Sequence, residues 1–204
     1  MSARYHTHVG GTHRAPLRWV VFLLLAMLPV LPTRAAQDPR NARVVVASPE
    51  NTVVVTTASD HLDADANISS FTALNSQPGA DSAISLREAL LAANNTPTTT
   101  LELAINFSIP ITDTGYSYDI TADRDIWTIQ VGFEDNSLLP RLSRGHVRID
   151  GTTQLPSSGS GSSIVIDGIL AWDPVAFNGL TITSPNNVVR GLAITNFFDN
   201  GIAI

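Results

Sequence analysis

A short apolar motif recurs close to residue 204 of this chain, and it limits the folds that the chain can adopt. The stretch NGLTI at 178–182 returns as NGIAI at 200–204, and RGLAI at 190–194 lies between them. We call the spacing of the two outer copies the 22-residue repeat. A short period, alternating Leu and Ile, and Gly or Asn at each corner are typical of a β-solenoid, in which each repeat adds one strand to several parallel sheets. The motif therefore predicts stacked parallel strands.

The 22-residue repeat also predicts which side chains stack. Equivalent residues of successive repeats lie about 4.8 Å apart along the hydrogen-bonding direction of a sheet. The stacked pairs expected are Leu180 with Ile202, Ile182 with Ile204, and Asn178 with Asn200. The two Asn side chains can form an amide ladder, as stacked Asn do in cross-β structures.

The stretch ISLREALLAANN predicts a helix at about 85–94, among segments that favour strands. Ser85, followed three residues later by Glu88, is a capping box: the Ser hydroxyl accepts the N–H of Glu88, and the Glu carboxylate accepts the N–H of Ser85. Leu86 and Leu90 belong to an apolar stripe at helical spacing. A helix this short is marginal alone in water, so it must dock on an apolar surface.

Most of the remaining sequence predicts strands and turns. Strand patterns occur at 51–60, 101–109 and 126–131, and the stretches HVRIDG and IVIDG each end a strand at an Asp-Gly turn. The segment 61–83 is predicted as a long polar loop. Its Asp63 and Asp65 favour a solvated acidic loop over a calcium site, since calcium loops need more oxygen ligands at fixed spacing.

The first residues have the pattern of a secretory signal peptide. Two Arg precede an uninterrupted apolar run at 19–28, and small residues follow up to a cut after Ala35. A membrane anchor is the alternative, but a span needs roughly 20 apolar residues and prolines end this run early. We therefore predict a signal peptide at 1–35 and a leader or linker at 36–50.

The charge of the exported chain excludes two classes of partner. The sequence has 12 basic residues, all of them Arg, against 18 acidic residues. Four of the Arg lie in the signal segment, so eight remain and the formal charge becomes −10. Such a surface repels nucleic acid and anionic lipid. We expect no nucleic-acid partner, and membrane contact only through export or through a C-terminal anchor beyond residue 204.

The helix stretch and its surroundings resemble the CSLREA-type N-terminal domains of exported bacterial proteins that carry right-handed parallel β-helices. The similarity also runs through VVVTTASDHLDAD, INFSIP, WTIQV, LLPRLSRGHVRIDGTTQ and GLTITSPNNVVRGLAITNF, which together cover most of the chain after the signal segment. One position departs from that family: Ile84 stands where the family commonly has Cys. This removes any redox or lipidation role for the position.

The resemblance implies an all-β fold, a right-handed parallel β-helix (solenoid) whose first coils are present here, with the short helix as an N-terminal cap. The helix would cover the open end of the first coil, where unpaired strand edges invite aggregation. Leu86 and Leu90 would plug the stack, and Arg87 would lie on its rim with its guanidinium available to a carbonyl or an acid. The cap region is expected at 51–144 and the first coils at 145–204.

The number of repeats bears on how much of the protein this chain represents. Fewer than three repeats of this length fit between positions 145 and 204. Solenoids generally need about three or more repeats and a polar terminal cap. The chain is therefore expected to be a fragment whose β-helix continues past Ile204.

Polysaccharide lyases and glycosidases share the β-helix fold, so the charged residues of the repeat region are candidates for catalysis. They are Asp150, Asp167, Asp173, Arg148, Arg190 and His146. The two Asp-Gly pairs favour turns for Asp150 and Asp167. Arg148 alternates with apolar residues, which favours a solvated outer face. His146 has no partner at metal-ligand spacing, which favours a surface or turn position.

The sequence as a whole favours an exported, non-catalytic β-helix segment of a secreted or cell-surface protein, adhesin-like or carbohydrate-contacting. We assign it no catalytic residue, cofactor or metal ligand, and we expect polysaccharide or another cell-surface component as its partner. The alternative is the N-terminal part of a β-helix polysaccharide lyase or glycosidase whose catalytic coils lie beyond residue 204. Trp127 and Trp172 are expected in core or rim packing rather than against sugars.

Overall fold

The computed structural model describes residues 49–132, 137–155, 161–171 and 178–204. The predicted signal peptide, nearly all of the predicted leader, Trp172 and Asp173 lie outside these ranges. The described residues are mostly sheet with few helices, which confirms the all-β class. The strands are β1 (Thr52–Val55), β2 (Leu103–Phe107), β3 (Tyr116–Asp119), β4 (Arg124–Gln130), β5 (Val147–Asp150), β6 (Ile164–Asp167), β7 (Leu180–Thr181), β8 (Val188–Arg190), β9 (Leu192–Thr195) and β10 (Ile202–Ala203). The helices are α1 (Phe71–Ser76) and α2 (Leu86–Asn95), with 3-10 turns at Pro49–Asn51 and Gly151–Thr153.

Three sheets contain these strands. The strand order is β1-β2-β5-β8 in the first sheet, β3-β4-β6-β9 in the second, and β7-β10 in the third. All of these pairings are parallel except the antiparallel hairpin of β3 and β4. From β5 to β7 the chain visits the first, second and third sheets in turn, and from β8 to β10 it repeats that order. Each strand of the second round lies beside its counterpart of the first.

The 22-residue repeat sets the register of the third sheet. Leu180 pairs with Ile202, as the offset between NGLTI and NGIAI predicts. The intermediate motif RGLAI contributes β9, which pairs with β6 in the second sheet. Neighbouring copies of the motif therefore occupy different sheets, while the two outer copies stack.

Within each sheet, the chain length between parallel-paired residues decreases along the sequence. The interval between β1 and β2 is more than twice the 22-residue repeat, and only the last pairing, β7 with β10, has the length of the repeat itself. The long early intervals contain both α-helices and the β3–β4 hairpin. Early strands thus stack in register although long insertions separate them in sequence. The paired residues, in chain order within each sheet, are Thr52, Ala104, Arg148 and Val188 in the first, Trp127, Ile164 and Leu192 in the second, and Leu180 and Ile202 in the third.

The core consists of apolar side chains that repeat from strand to strand. The columns are Val53, Ile105, Ile149 and Val189 in the first sheet, and Trp127, Ile164 and Leu192 next to Ile129, Ile166 and Ile194 in the second. The members on β8 and β9 are partly buried, whereas the others are at most 1% exposed. Full burial of one such side chain stabilises the folded state by about 1.5–3 kcal/mol. Trp127 is a core residue, as predicted.

Helix α2 covers apolar surface next to β1. Leu86 and Leu90 are fully buried, and Ser85 is the N-cap residue. The predicted helix is confirmed to within one residue at each end. No helix in the described ranges is long and apolar enough to cross a bilayer.

The segment predicted as one long polar loop contains a second helix, and this part of the prediction is wrong. Ser70 caps α1 because its Oγ accepts the N–H of Ala73 at 3.1 Å. Phe71 and Leu74, one turn apart, are fully buried. The N–H of Phe71 donates to Thr96 Oγ1 at 3.0 Å, which ties the start of α1 to the end of α2.

Candidate functional site

The capping box at α2 is present in the structure. The Ser85 Oγ accepts the N–H of Glu88 at 3.2 Å, and the N–H of Ser85 donates to Glu88 Oε2 at 2.8 Å. Glu88 also accepts the N–H of Asp63 at 3.0 Å. Burial raises the pKa of Glu88, and the hydrogen bonds from Ser85 and Asp63 only partly oppose that effect. Glu88 thus has a structural position in which its oxygens satisfy backbone donors.

Arg87 lies inside the protein and not on a rim, which corrects the expectation drawn from the sequence. The residue is 5% exposed. Its Nη2 lies 2.6 Å from Asp60 Oδ2, and its guanidinium also donates to the carbonyl oxygens of Ser137 and Leu138 at 2.8 Å. A rim position would leave the charge in water, but here a buried carboxylate and carbonyls replace that water.

A second arginine–carboxylate group lies on the outer face of the first sheet. The Asp150 side chain is 1% exposed, and its Oδ2 accepts Arg148 Nη1 at 2.9 Å and a short hydrogen bond from Arg190 Nη2. Arg148 also donates to Glu102 at 2.9 Å. Burial alone would raise the pKa of Asp150, but hydrogen bonds from Arg190 and Thr152 outweigh it and hold the pKa at about 2. We name these residues the Asp150 network.

The Asp150 network shows what the sequence analysis missed at this turn. Asp150 does cap the 3-10 turn that follows β5, as an Asp-Gly turn predicts. Arg148 and Arg190, however, converge on its carboxylate, one from the same strand and one from the neighbouring strand, and the Arg148 side chain is only 24% exposed. The charges of Arg148, Arg190, Asp150 and Glu102 balance one another.

The remaining candidates have structural surroundings. His146 has a positive φ of 53° and its Nε2 lies 3.2 Å from the Asn186 amide, which places it in a turn. Asp63 is half-buried rather than solvated, and its Oδ2 lies 3.4 Å from the N–H of Asp81. Asp65 is exposed and accepts the N–H of Ala80 at 3.2 Å. Both carboxylates therefore fasten the loop that precedes α2.

Asn178 and Asn200 lie side by side, one in each outer copy of the repeated motif. The Asn200 Nδ2 donates to Asn178 Oδ1 at 2.9 Å, and the N–H of Gly179 donates to the carbonyl of Asn200 at 2.9 Å. The contact has the form of one step of an amide ladder. It reinforces the register of β7 and β10.

A polar groove of about 530 Å³ lies where the outer face of the second sheet meets the loops that follow β1 and precede β3. We call it the polar groove. Its lining residues are Ala58, Ser59, Asp60, Thr114, Gly115, Tyr116, Ser117, Thr128, Gln130 and Asp167. Four separate segments of the chain contribute to it, and none carries a local motif that indicates a site.

The β4 strand supplies the floor of the polar groove through its alternation. Trp127 and Ile129 point into the core, so Thr128 and Gln130 point outward. Gly115 brings the loop against this strand: a Cβ there would lie 2.4 Å from the Ala58 Cβ. Only glycine permits that approach, and the Gly115 carbonyl accepts the N–H of Thr128 at 2.9 Å.

One aromatic ring stands at the side of the polar groove. The Tyr116 ring packs on Trp127 with 5.3 Å between centroids and 54° between ring planes. Its hydroxyl donates to Asp125 Oδ1 at 2.7 Å. That hydrogen bond is the main reason why the pKa of Tyr116 is raised. The Trp127 contact holds the ring and the Asp125 hydrogen bond holds its hydroxyl, so the ring position is fixed.

Several polar side chains in the polar groove are available to a ligand. Thr114, Ser117, Thr128 and Gln130 make no side-chain hydrogen bond within the part of the chain that the structure describes. Asp167 Oδ1 accepts the N–H of Ile169 at 3.0 Å and the Asn196 amide at 2.8 Å. In the same ranges, no group of three or more His, Asp or Glu side chains is arranged to hold a metal ion. The groove surface thus presents hydroxyls, one amide and the carboxylate of Asp167.

Comparison with known proteins adds no assignment to these observations. No family model, no curated protein and no solved structure matches the chain.

Proposed function

We propose that this protein is an exported, non-catalytic β-helix protein of the adhesin-like class and that it contacts carbohydrate at the polar groove. The observation that carries the proposal is the set of hydroxyl and amide groups without internal partners, in the described ranges, on Thr114, Ser117, Thr128 and Gln130. Sugar hydroxyls both donate and accept hydrogen bonds, so they complement such side chains. Binding sites of this kind use a few convergent polar groups to orient a ligand.

The strand arrangement supports a right-handed parallel β-helix as the scaffold. The chain visits three sheets in a repeated order, and six of the seven strand pairings in the described ranges are parallel. Parallel crossovers between strands of one sheet are right-handed in about 98% of cases. The resemblance of 84–97 to CSLREA-type domains fits a helix that covers the start of such a scaffold.

The N-terminal sequence supports export. Arg residues, the apolar run at 19–28 and small residues before Ala36 form a signal-peptide pattern. The chain has no Cys, so its folding after export does not require disulfide formation. A protein placed outside the cell in this way meets polysaccharide surfaces.

The binding test uses the full chain, expressed with its own N-terminus in a host that exports it. Titration calorimetry with the hexamers cellohexaose and β-1,4-galactohexaose would show saturable binding. Thr128→Val, which removes one groove hydroxyl at nearly constant volume, should weaken binding by about fivefold, a typical value for one hydrogen bond.

Thr98→Val is the matched control, because Thr98 is exposed and remote in sequence from every groove segment. It should leave the affinity unchanged. Failure of both hexamers to bind at millimolar concentration would contradict the proposed function. Equal losses of affinity in the two variants would place the binding elsewhere on the protein.

A further inference from the structure

The charges in the polar groove restrict the class of sugar that the groove can take. Two acidic residues line it, Asp60 and Asp167, but the Asp60 side chain is 0% exposed. Arg87 donates to both carboxylate oxygens of Asp60, at 3.1 and 2.6 Å, so that charge is balanced in place. Asp167 accepts only uncharged donors, from Ile169 and Asn196. No cation pairs with Asp167 within the ranges that the structure describes.

Two further carboxylates, those of Asp113 and Asp125, accept hydrogen bonds from residues that line the polar groove. Asp113 Oδ1 accepts the N–H of Gly115 at 2.8 Å, and its Oδ2 accepts the Thr57 hydroxyl at 2.9 Å. Asp125 accepts the Tyr116 hydroxyl. These groups satisfy their hydrogen bonds inside the protein, but their negative potential reaches a ligand in the groove.

The cation on the same face of β4 is too far away to offset these charges. Arg124 and Thr128 point outward on the same face of β4. Thr128 lies four residues after Arg124, so roughly 13 Å separates them at 3.3 Å per residue. Arg124 donates to the Ser162 carbonyl at 3.0 Å, and its Nε lies 3.9 Å from Asp119. Roughly 8 Å is the screening length at physiological salt, so Arg124 contributes little in the groove.

We infer that the polar groove accepts neutral sugar residues and discriminates against uronates and sulfated sugars, because Asp167 presents an unbalanced negative charge among otherwise neutral hydroxyl and amide groups. This inference rests on the proposed carbohydrate-binding function and names its ligand class. A ligand carboxylate near Asp167 is repelled, while a neutral hydroxymethyl or methyl ester at the same position is not. At contact distance this repulsion corresponds to about a tenfold loss of affinity.

Two galacturonan hexamers provide the test: one with free carboxylates and one with every carboxylate methyl-esterified and therefore uncharged. Titration calorimetry on the full chain should give an affinity about tenfold higher for the esterified hexamer. In Asp167→Asn, whose amide oxygen can still accept the N–H of Ile169, the ratio of the two affinities should fall below about threefold. Asp65→Asn removes one exposed charge elsewhere and should leave the tenfold difference intact.

A salt series on the unmodified protein keeps the inference testable if Asp167→Asn does not fold. Raising ionic strength from 0.05 to 0.5 M should narrow the difference between the two hexamers, since screening weakens repulsion at a surface site. Equal or tighter binding of the free-acid hexamer would overturn the inference and leave carbohydrate binding in place. Binding of none of the hexamers, neither the two galacturonans nor cellohexaose nor β-1,4-galactohexaose, would overturn the proposed function and the inference with it.

Discussion

The Arg87–Asp60 pair and the Asp150 network differ in the number and exposure of the arginines that balance the buried carboxylate. At α2, the side chains of Arg87 and Asp60 are 6% and 0% exposed. In the Asp150 network, the carboxylate is equally buried at 1%, but Arg148 and Arg190 are 24% and 57% exposed. A buried pair cannot lose one partner without leaving an uncompensated charge. A carboxylate with two partly exposed partners can lose one of them and keep the other.

The largest expected effect is that of Arg87→Met. This change leaves Asp60 buried without its guanidinium partner, and breaking a buried pair typically costs about 3–5 kcal/mol. The free energy of unfolding, measured by urea titration of the full chain, should fall by that amount. Arg148→Met is the matched control and should cost about 1 kcal/mol or less, because Asp150 keeps Arg190 as a cationic partner. Equal losses in the two variants would contradict the distinction.

The pH dependence of stability should separate the Asp150 network from the rest of the protein. The pKa of Asp150 is about 2 in the folded protein and about 3.9 in an unfolded chain. A depressed pKa in the folded state contributes stability above the unfolded value, and this contribution is lost as the pH falls through the folded value. The free energy of unfolding at pH 7 should be about 2 kcal/mol higher for the unmodified protein than for Asp150→Asn. The difference should shrink steadily between pH 4 and pH 2, and a constant difference would rule out the network as its source.

The smallest expected effect is that of Arg190→Met alone. Its side chain is more than half exposed, and such pairs contribute about 0–1 kcal/mol. In the double variant with Arg148→Met, the decrease in the free energy of unfolding should exceed the sum of the two single decreases. The reason is that Asp150 then has no cationic partner in its network. A double-mutant cycle by urea unfolding measures this coupling. Strict additivity would mean that each Arg acts on Asp150 independently.

Features with short-range or periodic signals could be predicted from the sequence. The capping box depends on a three-residue spacing between Ser85 and Glu88, and the stacking of Leu180 on Ile202 depends on one repeated pentapeptide. The same repeat is invisible upstream because the intervals between the earlier paired strands are longer and unequal. Insertions of different length erase the period while the strands keep their register.

Features that depend on assembly could not be predicted. The polar groove draws its residues from four segments that meet only after the sheets form. Arg87 looked like a surface residue because its carboxylate partner, Asp60, lies 27 residues earlier and its carbonyl partner Leu138 lies 51 residues later. The short helix α1 did leave a signal, since Ser70 precedes Phe71 and Leu74 at one-turn spacing, but six residues are too few to stand out from a polar segment.

The decrease in chain length between paired strands has a consequence for the order in which the protein folds. Closing a flexible interval costs more entropy as the interval lengthens. The interval between β1 and β2 is more than twice that between β7 and β10, which adds about 0.8 kcal/mol to its closure. Closure at β7 and β10 is therefore favoured roughly fourfold before any side chain is buried. Apart from the local β3–β4 hairpin, whose paired residues are at most 11 positions apart, the sheets are expected to nucleate among the later strands and to propagate toward the helices. Synthesis proceeds in the opposite direction, so α1 and α2 leave the ribosome before the strands that nucleate the sheets.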